Sequence, residues 1–371
     1  DYEDWATATG DTRWGPDAMA ARFRSLDDTD QGANEWRNTG GVFPIHSIEG
    51  ASHPVTQNFL DACAEIGVPR NPDFNAERQE GAGLYQINTR RGKRVSAADA
   101  FLRPAMRRPN LTVLKRTQAL RLIFTENQCT GDPVNLVARK EVILAAGAIE
   151  SPKLLQLSGI GDAGQLSKLG IKIQVDNPNV GANLQDHVGL NYYFRSRVPT
   201  LNQELSPIIR RFWNGARYLL TRSGPLSLSV NQGGAFFKTS SDRPLPNMQL
   251  YLQLITTLNG RGQSRPLLAP DPFPAFALGL SNIRPKSRGS IQIDSADPLT
   301  PPMINARAYS ASEDLDEMLE AVQFIRKLVS TKAFSGIMDS EIVPGRDVQS
   351  RSDLLEDIRQ RTGTVYHPSC T

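Results

Sequence analysis

Three stretches of the chain carry apolar residues at helical spacing. Between residues 52 and 67, apolar side chains recur every three or four positions, and Gly67 supplies a stop signal. The stretch 96–106 has a similar pattern, and from Leu315 to Val329 one apolar face follows Ser312, a suitable N-cap. We predict a packed helix at each of these places.

Between and after these helices, short runs of β-type residues are separated by polar turns. Strands are predicted at 85–87, 111–114, 120–124, 134–137, 141–145, 171–175, 248–254 and 290–293. The run 141–145 leads through Ala146 and Gly147 into a helix predicted over 151–157, which is typical of a buried parallel strand at a ligand-binding crossover. The pattern predicts an α+β protein built around an α/β core.

Composition narrows the class of protein. Of 371 residues, 39% are hydrophobic and 22% are charged, which is typical of a globular chain and excludes a disordered one. The 42 basic and 39 acidic residues leave a thinly spread net charge of +3, so neither a nucleic acid nor an anionic membrane is indicated. The sequence contains no run of about 18 apolar residues, so it predicts no transmembrane helix.

Cysteine usage and the two ends of the chain add context. Cys63, Cys129 and Cys370 are odd in number and far apart, which argues against a disulfide framework and for a reducing compartment, so we expect a cytoplasmic protein. The sequence begins at Asp1 without a methionine and stops at Thr371 within a motif, so we expect an internal segment of a longer protein.

One motif match is misleading. Residues 159–164 read Gly-Ile-Gly-Asp-Ala-Gly and fit the dinucleotide fingerprint G-x-G-x-x-G. That fingerprint binds a pyrophosphate only when a strand precedes it, and here a predicted helix precedes it. We interpret the glycines as a helix-terminating turn.

The larger stretch around this match is more specific. Residues 147–161 read Gly-Ala-Ile-Glu-Ser-Pro-Lys-Leu-Leu-Gln-Leu-Ser-Gly-Ile-Gly and resemble the second signature of the glucose-methanol-choline (GMC) family of flavin oxidoreductases. Other stretches resemble that family in the same order: 73–81, 94–102, 108–113, 179–187, 287–298 and 366–371. The resemblance covers essentially the whole chain and is nearest to the choline-dehydrogenase-like bacterial branch.

The resemblance implies FAD as cofactor and an incomplete FAD-binding domain interleaved with a substrate-binding domain on an antiparallel sheet. It divides the chain into 1–95 and 96–190 of the FAD-binding part, 191–310 of the substrate-binding part, and 311–371, a helix followed by the return to the active site. The implied cofactor contacts are Ala146 and Gly147, where small residues let backbone approach the flavin, and the backbone of Ala119 at the adenine.

Two histidines are interpreted differently. Within its His-Pro-x-x-Thr context, His367 matches the family's catalytic histidine at the flavin, and imidazole has a pKa suited to taking an alcohol proton. The family's second catalytic position lies beyond Thr371. His187, beside Asp186, has no further His or carboxylate cluster around it, so we interpret it as structural and predict no metal site.

Gln232 is the predicted substrate contact. It stands where choline-type members tend to carry Glu, and without that anion a quaternary ammonium group binds less well. We therefore expect an uncharged primary alcohol, oxidised to an aldehyde, with an electron acceptor that the sequence does not identify. The alternatives are an alcohol oxidase that uses O₂, a choline dehydrogenase, a lyase of the same fold, and a non-catalytic fragment without bound cofactor.

Overall fold

The structure is a computed structural model that describes residues 1–124, 135–258 and 269–371. It divides into two units, each assembled from separate stretches of the chain. Unit 1 comprises Asp1–Val113, Leu190–Ser281 and Met318–Arg361, and unit 2 comprises Leu114–Gly189, Asn282–Glu317 and Thr362–Thr371. Neither unit is one continuous segment.

Helices are distributed through all three described ranges of the chain. The α-helices α1 to α11 are Tyr2–Thr9, Pro16–Leu26, Pro54–Glu65, Arg103–Ala105, Gly147–Leu157, Ala163–Lys168, Leu201–Leu205, Ile208–Thr221, Ser312–Val329, Lys332–Ser335 and Arg351–Arg361. Short 3₁₀-helices lie at Thr12–Trp14 and Pro225–Ser227, and a π-helix at Ala98–Leu102.

Strands alternate with these helices. In the described residues, β1 to β15 are Asp27–Thr29, Phe43–Ile45, Gly81–Leu84, Thr89–Arg90, Lys93–Arg94, Ile160–Gly161, Val175–Asp176, Val188–Ser196, Asn231–Phe237, Met248–Gln253, Ala275–Asn282, Ser290–Gln292, Met303–Asn305, Met338–Val343 and Gly363–Thr364.

The main sheet of unit 1 has the strand order β14-β8-β11-β10-β9-β3. The pairs β14–β8, β10–β9 and β9–β3 are antiparallel. All eight residues of β11 are buried, as expected for a central strand covered on both faces. This mixture of helices and an antiparallel sheet confirms the predicted α/β class.

Aromatic rings fill the core of unit 1. Phe276 on β11 stacks on Phe194 of β8 and on Phe334 of α10, with ring centroids 5.4 Å apart in each pair. Phe237 on β9 stacks on Phe324 of α9 at 4.0 Å. The sheet is therefore joined to α9 and α10 through closely packed rings.

The three predicted helices are confirmed. Helix α3 begins at Pro54, where the His53 side chain accepts from the backbone N–H of Val55, and Gly67 follows it with φ of 90°. The stretch 96–106 is a π-helix followed by α4, because Pro104 has no N–H for a regular helical bond. Helix α9 carries the apolar face predicted over 315–329.

Several predicted strands are wrong. Among the described residues, 111–114, 120–124, 135–137 and 141–145 form no strand, and residue 134 lies outside those residues. A strand needs a neighbour to bond its N–H and C=O groups, and no described segment pairs with these runs. Ile143 is 80% exposed, so the buried parallel strand is absent from the described structure.

Shorter strands also differ in position. The strand predicted at 85–87 lies at Gly81–Leu84, and that predicted over 171–175 is limited to Val175–Asp176. The strands at Met248–Gln253 and Ser290–Gln292 are confirmed.

Unit 2 is organised around α5. Leu157 packs with Leu166 and Ile293 in a buried apolar cluster. The Gln156 side chain donates to the carbonyl of Ile291 at 2.9 Å and accepts from the N–H of Ile293 at 3.0 Å. These contacts fix α5 against the segment 291–293 and thereby position its N-terminus, where Ala146 and Gly147 lie.

A largely buried ion-pair cluster joins distant parts of unit 1. The Arg37 guanidinium donates to both carboxylate oxygens of Asp73 at 2.7 Å, and to Gln86 at 2.9 Å. It also pairs with Asp27 at 3.3 Å. Burial pushes the pKa of Asp73 upward, but the bonds from Arg37 outweigh it and the pKa lies below its ordinary value.

Cys63 is buried and Cys370 is exposed, both as free thiols, and Cys129 lies outside the described residues. Across the described ranges, every helix is too short or too polar to cross a bilayer.

Candidate active site

The centre of the candidate site is a pair of histidines in unit 2. Nδ1 of His367 lies 3.1 Å from Nδ1 of His187, within hydrogen-bond distance. The ring centroids are 5.2 Å apart and the planes meet at 73°. His367 is exposed and His187 is half-buried. The arrangement therefore joins an accessible imidazole to one that is held within the fold.

Strand pairing brings these residues together. Strand β15 pairs antiparallel with the start of β8, so that Thr364 lies opposite Val188. The N–H of Val365 then donates to the carbonyl of His187 at 3.1 Å. Tyr366 follows in the left-handed region with φ of 64°, which turns the chain beside the loop that precedes β8.

Asp186 holds this turn in place. One carboxylate oxygen accepts from the backbone N–H of His367 at 3.0 Å, and the other accepts from the hydroxyl of Thr364. The hydroxyl of Thr364 in turn accepts from the N–H of Tyr366 at 2.9 Å. A single carboxylate thus fixes the backbone that carries His367.

The surroundings of His187 favour its neutral form. Burial lowers the pKa of His187, and the positive charge that His367 can carry lowers it further. The charge of Asp186 and a hydrogen bond to the backbone carbonyl of Ile283 oppose this shift without reversing it. His187 is therefore a neutral imidazole around pH 7.

The hydrogen bonds decide which nitrogens carry protons. A neutral imidazole has one N–H, and the carbonyl of Ile283 can only accept. Because Nδ1 of His187 faces His367, we assign the His187 proton to Nε2 and leave Nδ1 as an acceptor. His367 then donates through Nδ1, and its Nε2 is the unprotonated, basic nitrogen.

The turn that contains Ala146 and Gly147 lies near the same segment. Both residues are exposed at the N-terminus of α5, and the Ala146 N–H donates to the Ser151 hydroxyl at 3.1 Å. The hydroxyl of Thr371 donates to the carbonyl of Ala148. The chain just after His367 is therefore attached to the turn that the sequence assigned to the cofactor.

Ala119 and Gln232, the two other predicted site residues, are each described within their own unit. Ala119 is exposed, and its segment is held by the N–H of Leu122, which donates to Ser158 at 2.7 Å beyond the C-terminus of α5. Gln232 lies in unit 1 on β9 and is 1% exposed. Its Oε1 accepts from the backbone N–H of His53 at 2.6 Å, and it lines a cavity of about 540 Å³.

Sequence reasoning missed the contact between His187 and His367. It treated Asp186 and His187 as structural because no further carboxylate or His cluster flanks them in the sequence. Both histidines stand within stretches of the family resemblance, and that was the one available signal. In the described ranges, no group of three His, Cys, Asp or Glu side chains could hold a metal ion.

Comparison with known proteins identifies the family. The N-terminal model of GMC oxidoreductases matches residues 1–189, and the C-terminal model matches residues 285–371. The chain belongs to the GMC oxidoreductase family, which binds FAD.

Within that family, the chain is similar to choline dehydrogenases. An oxygen-dependent choline dehydrogenase of Staphylococcus aureus strain MSSA476 is 33% identical over 378 residues, which cover 100% of this chain and 65% of that protein. The chain thus spans 65% of the length of the relatives it matches in this group.

Solved structures share the fold. Pyridoxine 4-oxidase from Mesorbium loti has a TM-score of 0.81 at 26% identity, over 99% of this chain and 68% of that one. A formate oxidase variant of Aspergillus oryzae RIB40 has a TM-score of 0.85 at 23% identity, over 97% of this chain and 69% of that one. The second likeness concerns the fold alone.

The residues of the site fit a flat cofactor. Gly147 has φ of 86°, and, apart from its chain neighbours and the backbone of its own helix, no described atom lies within 4 Å of the position that a Cβ would take there. Ala146 adds only a methyl group to the same exposed turn. Backbone at this turn can therefore approach a ring edge closely, and the exposed imidazole of His367 lies on the segment attached to it.

Proposed function

We propose that this protein oxidises a primary alcohol to an aldehyde, with FAD as cofactor and His367 as the acid–base group. The alcohol O–H proton passes to Nε2 of His367 as the α-carbon gives up a hydride. Bound FAD supplies the acceptor for that hydride at N5. The observation that carries the proposal is the hydrogen-bonded pair of His367 and His187, because it leaves a basic nitrogen on an exposed imidazole.

His187 and Asp186 hold His367 in the tautomer and position that proton transfer requires. His187 accepts from Nδ1 and so holds the basic lone pair on Nε2, and Asp186 fixes the His367 backbone. When Nε2 takes the proton, His367 becomes a cation 3.1 Å from a neutral ring that still accepts from it. The protonated form is thereby stabilised without a change of geometry.

Ala146 and Gly147 are the proposed backbone contacts to the flavin, and Ala119 the proposed contact to the adenine. The exposed turn at the start of α5 supports the first two. Ala119 rests on the family resemblance alone, since its described anchor lies beyond the other end of α5.

The decisive experiment compares His367→Ala with the unaltered full-length protein. General acid–base groups contribute about 10²–10⁴-fold to rate. We expect His367→Ala to retain bound flavin but to lose flavin reduction by an alcohol by about that factor in anaerobic stopped flow. Near-normal reduction would remove His367 from the mechanism, whereas loss of flavin absorbance would assign it to cofactor binding.

The proposed substrate is an uncharged primary alcohol. The supporting observation is Gln232, whose neutral amide lines the cavity of unit 1 with His53. Nothing about Gln232 offers the anion that a quaternary ammonium group prefers. Choline is the competing substrate, and its support is the name of the Staphylococcus aureus relative.

Molecular oxygen is a candidate for the electron acceptor. The named relatives include an oxygen-dependent dehydrogenase and a pyridoxine oxidase, which favours an enzyme that returns its electrons to O₂. Peroxide formed in step with aldehyde supports an oxidase, and turnover only with an artificial acceptor supports a dehydrogenase. Cyanohydrin cleavage without flavin reduction identifies a lyase of the same fold.

The proposal from another class is a non-catalytic chain without cofactor. A visible absorbance spectrum of the purified 371-residue chain separates the two. Bound yellow flavin supports the catalytic proposal, and a colourless folded chain supports the other. We also propose the domain division at residues 95, 190 and 310. A cytoplasmic location is a further proposal, and the free thiols of Cys63 and Cys370 support it.

A further inference from the structure

Helix α8, Ile208–Thr221 in unit 1, carries an apolar face that points to solvent. Its large apolar side chains are each between 66% and 84% exposed: Ile208, Ile209, Phe212, Trp213, Leu219 and Leu220. At about 100° per residue, these positions lie within an arc of about 140° on one side of the helix. No residue of α8 is buried. Most surface helices direct such an apolar stripe toward the core, whereas α8 directs it toward solvent.

The opposite side of α8 attaches it to unit 1. Asn214 donates to the carbonyl of Glu204 at 3.0 Å, and the Tyr218 hydroxyl donates to the carbonyl of Gly92 at 3.0 Å. Both residues lie about 180° from the centre of the apolar face. The polar side therefore holds the helix, and the apolar face is directed outward by the same contacts.

Arginines border the apolar face. Arg210 and Arg217 lie along one edge, Arg211 lies along the other, and Arg222 follows the last turn. Arg210 and Arg211 donate to backbone carbonyls and Arg217 to a hydroxyl. Within the described residues no carboxylate is ion-paired with any of the four, and α8 itself contains no Asp or Glu. The positive charge around the face is uncompensated.

We propose that α8 binds in the plane of an anionic lipid bilayer. Trp213 and Phe212 enter the boundary between headgroups and acyl chains, and the flanking arginines contact anionic headgroups. With 14 residues, α8 is about 21 Å long, too short to cross the hydrocarbon core, and it has the composition of a helix that lies on a membrane.

Charge favours lipid over a second copy of the chain. In a symmetric dimer the same patch faces itself, so the arginines on each edge of α8 would approach those of the partner. Like charges at close range oppose that contact, whereas an anionic surface attracts all four. The net charge of +3 hid this feature, because acidic residues elsewhere compensate for the arginines.

The test is flotation of the full chain with vesicles of phosphatidylcholine alone and with about one third phosphatidylglycerol. We expect binding to the anionic vesicles that weakens at high salt. Each Arg contributes about fivefold to partitioning, so Arg210→Gln/Arg217→Gln reduces it about 25-fold. The control Arg346→Gln/Arg359→Gln removes the same charge from exposed positions outside α8 and leaves binding nearly unchanged.

A second variant tests the apolar face. Phe212→Ser/Trp213→Ser alters side chains that are 70% and 66% exposed, so folding is preserved while vesicle binding is lost. Leu299→Ser, at a side chain 68% exposed in unit 2, is the matched control. Equal binding to neutral vesicles, absence of binding to anionic ones, or a dimer that Phe212→Ser/Trp213→Ser dissociates would each overturn the proposal.

Discussion

His367 and His187 meet through their Nδ1 atoms at 3.1 Å, although 180 residues separate them in the chain. The contact places the acceptor lone pair of a half-buried ring against the N–H of an exposed one. In the proposed mechanism, His187 keeps His367 in the tautomer whose Nε2 takes the alcohol proton.

Substitution of His187 tests this positioning role. His187→Ala removes the acceptor at Nδ1, so the proton of His367 can move to Nε2. We expect flavin reduction by alcohol to slow about 10- to 100-fold, which is less than the loss of about 10²–10⁴-fold for an acid–base group itself, because His187 acts through His367. His187→Asn places a carbonyl oxygen near the former Nδ1 and is expected to recover most of the rate.

The measurement is the anaerobic reduction rate against pH. A positioning role shifts the acidic limb of the profile in His187→Ala and restores it in His187→Asn. If both variants lose the same rate with an unchanged profile, the contact between the two rings is structural only.

The parts that sequence alone could predict are local. Helices α3 and α9 follow from apolar spacing within one segment, and the glycine turn at Gly159 follows from its neighbours. The pairing of β15 with β8 is not local, because its register depends on segments far apart in the chain. For that reason the sequence indicated His367 by resemblance, and its one signal for the contact with His187 was that both histidines lie within stretches of that resemblance.

The failures have the same cause. Val142 and Ile143 have the residue types of a buried strand, yet they are 61% and 80% exposed because no described strand lies beside them. Propensity indicates what a segment can form, and a partner strand decides whether it does. Helix α8 is the reverse case, since its pattern is regular but its apolar face is turned outward.

Stability should depend on pH through two half-buried histidines, His187 and His53. Burial lowers the pKa of His187 below its ordinary 6.5. Between the folded pKa and 6.5, the unfolded chain binds a proton that the folded chain does not, so the free energy of unfolding rises with pH across that window. Burial lowers the pKa of His53 in the same direction.

Urea unfolding of the wild type at several pH values between 5 and 8 measures this effect. We expect stability to decline as the pH falls below about 6.5, and to decline less in His187→Asn. His53→Asn keeps a side chain able to cap α3, and it should remove the separate contribution of His53 to the pH-dependent loss of stability. Parallel curves for all three proteins would contradict the assignment.

The ion-pair cluster around Arg37 should dominate the stability of its part of unit 1. Arg37→Leu leaves Asp73 and Asp27 without their partner at low exposure, and breaking such a pair costs about 3–5 kcal/mol. The matched control is Arg90→Leu, because the pair of Arg90 and Asp28 is 53% and 37% exposed and contributes less than about 1 kcal/mol. Chemical unfolding gives both values, and equal losses would show that burial does not set the difference.

The proposed role of Gln232 in substrate choice can be tested by one isosteric change. Gln232→Glu keeps an oxygen that can accept from the His53 N–H, and it adds a negative charge to the wall of the 540 Å³ cavity. An anion there attracts a quaternary ammonium group, so we expect the ratio of kcat/KM for choline to that for a neutral primary alcohol to rise about tenfold, which corresponds to about 1.4 kcal/mol. Gln174→Glu adds the same charge at an exposed position and should leave the ratio unchanged. If the ratio is unchanged in Gln232→Glu while the neutral alcohol still reduces the flavin at the normal rate, the substrate does not bind in this cavity. The proposed role of His367 is unaffected by that result.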